Sequence, residues 1–211
     1  MRKILLLIII LSLNSCGQNE EIIQRDELFK KGMDEIGLVI LGETSDYKKA
    51  ISYFDKSLKI DPSFSAASYW KSDCEFKSEL YTDAIKSIDK ALKLNNKNKF
   101  NASLYTISGV SLRINGESER AERQFNKAIE IYEKEIKNSF NIFDSKRYDK
   151  KISAIMNKSS VLCFSDKKDE ALIFINSIPK NNENKMALEE TRKYIVEFNF
   201  DEFLKMTKRV K

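Results

Sequence analysis

The stretch from Leu104 to Tyr132 constrains this chain more than any other. Apolar and small residues recur there at helical spacing, and Gly116-Glu117-Ser118 divides them into two runs. Tyr105, Ser108, Gly109 and Leu112 share one face of the first run, and Ala121, Phe125 and Ala128 one face of the second. A small residue on each side, Gly109 and Ala121, lets two helices approach closely while Phe125 and Leu112 fill the space beside them. The second-helix pattern recurs. Ala50, Ala84, Ala121 and Ala171 are followed four residues later by Phe54, Ile88, Phe125 and Ile175, and Ala50 and Ala84 stand 34 residues apart. Composition agrees with helices, since only 6 Gly and 2 Pro occur among 211 residues that are 42% hydrophobic and 33% charged.

A small residue in the first helix, then A-x3-F and a further Ala in the second, resembles the tetratricopeptide repeat. The resemblance implies an all-α fold: a right-handed α-solenoid of about four hairpins, at 26–64, 65–98, 99–137 and 146–182, with capping helices and a basic tail in 183–211. It also implies a scaffold that binds a protein or peptide partner. Several positions depart from the family's pattern. Gly32 lies about six residues earlier than the repeat would place it, so Gly37 to Ser45 holds an insertion, expected as an extra helical turn ending at Gly42. Glu79 stands where glycine is usual. Ala171 follows Ala121 by 50 residues, so about sixteen are extra, among them Phe140-Asn141-Ile142-Phe143, either a plug against neighbouring helices or a partner contact. Pro179 cuts the fourth repeat short. Leu188, Ile195 and Phe198 form a helical stripe, and Asn199-Phe200-Asp201-Glu202 reads as the cap of a last short helix, which would cover the apolar end of the stack.

The first fifteen residues are of another kind. Arg2-Lys3 precede an apolar run from Ile4 to Leu13, too short to span a bilayer of about 30 Å, and the arrangement is that of a secretory signal. Leu13-Asn14-Ser15-Cys16 resembles the lipobox of bacterial lipoproteins, which implies cleavage after residue 15 and a diacylated Cys16. The alternatives are an ordinary cleaved signal or a thiol without lipid. Residues 16–25 are then expected to be an unstructured tether. The implied location is the bacterial cell envelope, in the outer membrane facing the periplasm or the surface.

The residues present narrow the chemistry. There is no histidine, which excludes a His-based general base and the usual zinc ligand sets. Cys74 and Cys163 fall two repeats apart, too far for a disulfide, and read as packing residues. No glycine-rich loop follows a strand, so no phosphate cofactor is expected. Glu189-Glu190 diverge around a helix and cannot converge on one bond. Without Arg2 and Lys3, 35 basic residues face 32 acidic ones, interspersed along every helix, which gives no nucleic-acid footprint; the basic end Lys205 to Lys211 reads as a solvated tail. No metal, cofactor or catalytic group is expected, and the chain reads as a non-enzyme.

In the repeat family the first helices line the concave side. Carrying that geometry over gives Tyr69, Asp73, Phe76 and Lys77 in the second repeat, Thr106, Val110, Arg113 and Ile114 in the third, and Met156, Ser160, Cys163 and Phe164 in the fourth. Tyr69, Phe76 and Arg113 are the expected anchors of a peptide, with Tyr69 and Arg113 expected to carry no packing between repeats. Each of these residues has packing between repeats as its alternative reading. Thr106 and Ser160 stand where some family members place amides that clamp a carboxylate, so that activity is not expected. The functional reading is a lipid-anchored scaffold for envelope assembly, with an immunity-type protein that neutralises a toxin as the alternative and an enzyme as a distant third.

Overall fold

The computed structural model describes residues 2–44, 46–94, 100–138 and 145–208, with side chains described from residue 20 onward except at 145–149 and 206–208. The cluster Phe140-Asn141-Ile142-Phe143 lies outside the described residues. Among the described residues every regular element is an α-helix: α1 Arg2–Ile40, α2 Lys48–Ile60, α3 Ser65–Lys77, α4 Tyr81–Leu94, α5 Asn101–Ile114, α6 Ser118–Asn138, α7 Ser145–Phe164, α8 Lys168–Ser177, α9 Lys185–Glu197 and α10 Phe200–Lys208. Consecutive helices from α1 to α8 pack as four hairpins, each stacked on the next, which makes an all-α repeat solenoid.

Each hairpin turns in the same way. At Gly42, Glu79, Gly116 and Asp166 the backbone enters the left-handed region, with φ of 75°, 63°, 80° and 60°. The following amide then reaches back over the helix end: Glu43 N to Leu38 O and Leu80 N to Glu75 O at 2.9 Å, Glu117 N to Leu112 O at 2.9 Å, Lys167 N to Leu162 O at 2.8 Å. This closure satisfies a carbonyl that the helix itself leaves open. Glycine adopts the conformation freely, whereas Glu79 and Asp166 hold it against their own Cβ.

The turn sets the register of what packs behind it. Ser72, Gly109 and Ser159 lie seven residues before the left-handed residue, and Ile88, Phe125 and Ile175 nine after it. In the first hairpin Gly32 lies ten before Gly42 and Phe54 twelve after, so the insertion divides between one more turn of α1 and a longer loop. Size is matched across the crossing. Where the second helix carries Phe the first carries Gly: a Cβ on Gly32 would lie 2.5 Å from the Phe54 ring, and one on Gly109 2.5 Å from the Phe125 ring. Where the second helix carries Ile the first carries Ser, and Ser72 and Ser159 are fully buried with their hydroxyls turned onto Tyr69 O at 2.8 Å and Ile155 O at 3.0 Å.

The N-terminal end departs from expectation. The backbone of residues 16–25 is helical, continuous with the first helix of the first repeat. Arg25, at the end of the expected tether, is instead a knot. Its guanidinium donates to Asp61 at 2.9 Å and lies 4.2 Å from the Phe64 ring centroid, while its carbonyl accepts from Ser57 Oγ at 3.0 Å. Burial pushes the Asp61 carboxyl up, but donors from Ser63 and Arg25 outweigh it and hold the group below the ordinary carboxylate range. At the other end α9 packs on α7 and α8 and buries Leu188 and Ile195. Asn199 Oδ1 accepts from Glu202 N at 3.0 Å and caps α10.

Candidate binding groove

Of the first helices, α3 lies on α5, and Arg113 of α5 reaches the carbonyl of Phe164 in α7. The faces they present differ along the stack.

In the second repeat the face is polar. Asp73 and Lys77 pair at 2.8 Å one helical turn apart, with 15% and 38% of their side chains exposed. Burial would lower the Lys77 ammonium, but Asp73 beside it carries the balance and raises it. Tyr69, one turn before, stacks on Phe100 with centroids 4.9 Å apart and 9° between planes, and meets Trp70 edge-on at 5.2 Å. Its ring thus joins the second repeat to the start of α5. It carries packing between repeats, contrary to expectation. Phe76 is only 8% exposed, set in the core against Tyr81 at 5.5 Å, and is not free to anchor a ligand.

In the third repeat Thr106 donates its hydroxyl to Ala102 O at 2.9 Å, so little of it is left for a partner. Val110 is 2% exposed and belongs to the core, and Ile114 packs against the same cluster. Arg113 is the most engaged side chain of the face. It donates to Phe164 O and pairs with Asp166 at 2.7 Å, and its guanidinium lies 4.0 Å from the Phe200 ring centroid. The expectation that Arg113 carries no packing between repeats is overturned, because it ties α5 to α7 and to α10.

In the fourth repeat Met156 is exposed and Ser160 Oγ turns back onto Met156 O at 3.1 Å. Cys163 and Phe164 are closed off. Burial pushes the Cys163 thiol up to about 11, and that of Cys74 up to about 12, so both are inert packing groups, as expected of them. Phe164 meets Phe198 at 5.5 Å and Phe203 at 4.9 Å.

α8 and α9 close over Cys163, and α10 accounts for much of the cover over Phe164 and Arg113. Phe200 and Phe203 of α10, with Phe198 just before it, pack against the cluster that holds Phe76, Val110 and Phe164. The C-terminal helix therefore lies over the part of the first-helix face built by α5 and α7. The sequence reading found the cap at Asn199 and missed where the helix goes, although the spacing of Phe200, Phe203 and Leu204 on one helical face marked it as amphipathic. A cleft of about 190 Å³ remains at the edge, between Arg113, Phe125, Phe164 and Asp166. On the opposite face Lys71 bridges Asp55 at 2.8 Å and the buried Glu75 at 3.4 Å, which ties α2 to α3. Cys16 lies in α1, outside the residues whose side chains are described. Among the described residues no cluster of metal-ligating groups occurs, and no helix is long and apolar enough to cross a membrane.

Residues 36–64 match the model of a tetratricopeptide repeat. This span covers the end of α1, all of α2 and the turn to α3. The chain is also similar to the TPR repeat-containing protein MJ1428 of Methanocaldococcus jannaschii, at 34% identity over 95 residues, 43% of this chain and 15% of that protein. It thus spans well under a fifth of that relative's length. Two solved structures resemble the fold. One is MamA, with a TM-score of 0.47 and 20% identity, over 83% of this chain and 82% of that one. The other is YrrB, described as a TPR protein with an unusual peptide-binding site, with a TM-score of 0.46 and 17% identity over 94% of this chain and 91% of that one. The fold is an all-α helical-repeat solenoid in which residues 36–64 match a tetratricopeptide repeat.

Proposed function

We propose that the chain is a lipid-anchored scaffold of the bacterial cell envelope, attached through Cys16, that binds a protein or peptide partner along its first-helix face and serves envelope assembly. The observation that supports the binding face is the alignment of α3, α5 and α7, which offers the charged pair Asp73–Lys77 beside the aromatic surface of Tyr69 and the fixed guanidinium of Arg113. Charged and aromatic groups held in place by their neighbours are the usual anchors of recognition, because little entropy is lost when a partner meets them. The anchor rests on Leu13-Asn14-Ser15-Cys16 behind the apolar run.

Two experiments test the two halves of this reading. Growth with radiolabelled palmitate should label the full chain and leave Cys16→Ala unlabelled; equal labelling of both would refute the anchor. Crosslinking in cells should capture a defined partner with the full chain and lose it with the charge-reversed pair Asp73→Lys/Lys77→Asp, which keeps the internal attraction while inverting the surface. Capture unchanged by the reversal would place the partner elsewhere. A β-barrel or secretin subunit among the captured proteins supports assembly, whereas a single toxin would replace it with an immunity role.

A further inference from the structure

The groove built by α5 and α7 already holds a helix. We infer that α10 is an internal stand-in for the partner, and that the face around Arg113 recognises a short amphipathic helix carrying aromatic residues at positions i and i+3, which enters by displacing α10. The inference rests on the reading of the first-helix face as the binding surface and adds the class of partner and the competition for the site.

Three observations carry it. The platform does not depend on α10: Arg113 is oriented by Phe164 O and by Asp166 at 2.7 Å, both supplied by α7 and its turn, so its flat face stays presented when Phe200 leaves. Phe200 on Arg113 and Phe203 on Phe164 dock one face of α10, with Phe198 in the linker at 5.5 Å from Phe164. Its other face, with Asp201, Glu202 and Lys205, is exposed. Finally, α10 spans 9 residues, below the ~12 to 15 at which an isolated helix holds in water, so it is helical only while docked. A segment that folds only against the groove, through two aromatic side chains one turn apart, can be replaced by another segment with the same pattern. The occupied fraction of the site then lowers the partner's apparent affinity in proportion.

The test is a fluorescence-anisotropy titration of the full chain with a labelled synthetic peptide of residues 196–208. The wild-type chain should bind it weakly. The full-length Phe200→Ala/Phe203→Ala chain, whose own helix no longer competes, should bind it about tenfold more tightly or better. The same peptide with Phe200 and Phe203 replaced by Ala should bind neither chain. Equal affinity for wild type and double variant, or no binding to a double variant that still melts cooperatively, overturns the inference. If the double variant does not melt cooperatively, the titration is read on Phe200→Ala alone, whose ring is only partly buried and for which the same ordering is required. The two readings fail separately. A peptide that does not bind while Asp73→Lys/Lys77→Asp still abolishes capture in cells removes the stand-in and leaves the groove. A peptide that binds as expected while capture ignores the reversal removes the groove as the native partner's site.

Discussion

The two halves of the first-helix face are built from the same repeat and end in opposite states. Around α3 the face is charged and half-buried, with Asp73 and Lys77 paired across one turn. Around α5 and α7 it is apolar and covered, with Val110 at 2% and Phe164 at 8% exposure in the cluster against which Phe200 and Phe203 pack. The repeat register is identical in the two halves: Asp73, Val110 and Ser160 each follow the small packing residue directly. Side-chain chemistry at a few positions decides which half takes an internal ligand. A charged pair already satisfied by its own partner gains little by being covered further, whereas Phe164 and Val110 gain about 25 cal/mol for each Å² of apolar surface hidden. The solenoid thus supplies a uniform frame, and its sequence writes different surfaces on it.

The largest contrast should come from the aromatic rings. Phe164→Ala removes a buried ring that holds both Phe198 and Phe203, and should cost about 3 to 4 kcal/mol in a denaturant melt and free α10. Tyr69→Ala, half-buried between the second and third repeats, should cost about 2 kcal/mol without loosening α10. Equal costs would mean that the covered half is not the better packed.

Arg113 and Lys77 make the next comparison. Arg113→Ala loses a charged hydrogen bond, an ion pair and the stacking on Phe200, and should destabilise by about 2 kcal/mol. Lys77→Ala leaves the mostly buried Asp73 carboxylate without its partner and should cost about 1 kcal/mol in the same melt, less than Arg113→Ala. The left-handed turn residues give a smaller difference. Glu79→Gly relieves a Cβ at φ 63° and should stabilise by about 0.5 to 1 kcal/mol. Asp166→Gly relieves the same strain but strands Arg113, so its melt should show no gain.

The last effect is one of pH, in the first hairpin. The folded Asp61 carboxyl titrates below its ordinary range, so the folded state binds its proton less readily than the unfolded chain. The stability it contributes is complete above the unfolded value of about 3.9 and is lost as pH falls through the folded value. Asp61→Asn should flatten that part of a pH-dependent melt. A profile unchanged by the substitution would mean that Arg25 and Asp61 are not coupled.

Much of the frame was legible in the residues. Ala50, Ala84, Ala121 and Ala171 mark the second helices because only a small side chain fits a close helix crossing, and all four are buried. The pairing of Gly109 with Phe125 was legible for the same reason. At Glu79 the repeat pattern placed the turn but not its left-handed conformation, because that is held by the closure around it and no local preference announces it. On the groove, periodicity placed the right helix face, but a one-dimensional pattern cannot say what lies over it. Arg113 was expected to stand free and is gripped from three sides, because its partners Phe164, Asp166 and Phe200 lie 51 or more residues away in the chain. Tyr69 was missed similarly, its stacking partner Phe100 being brought in by the next repeat.

The occupied groove is tested most directly by nuclear Overhauser contacts between the Phe200 ring and the side chain of Arg113 in the full chain. The guanidinium lies 4.0 Å from the ring centroid, so cross-peaks to the Arg113 side chain and an upfield ring-current shift of its methylene protons are expected, and both should vanish in Phe200→Ala. Arg113 protons at their unperturbed shifts, with no contact to Phe200 in the wild-type chain, would show α10 undocked and contradict the account.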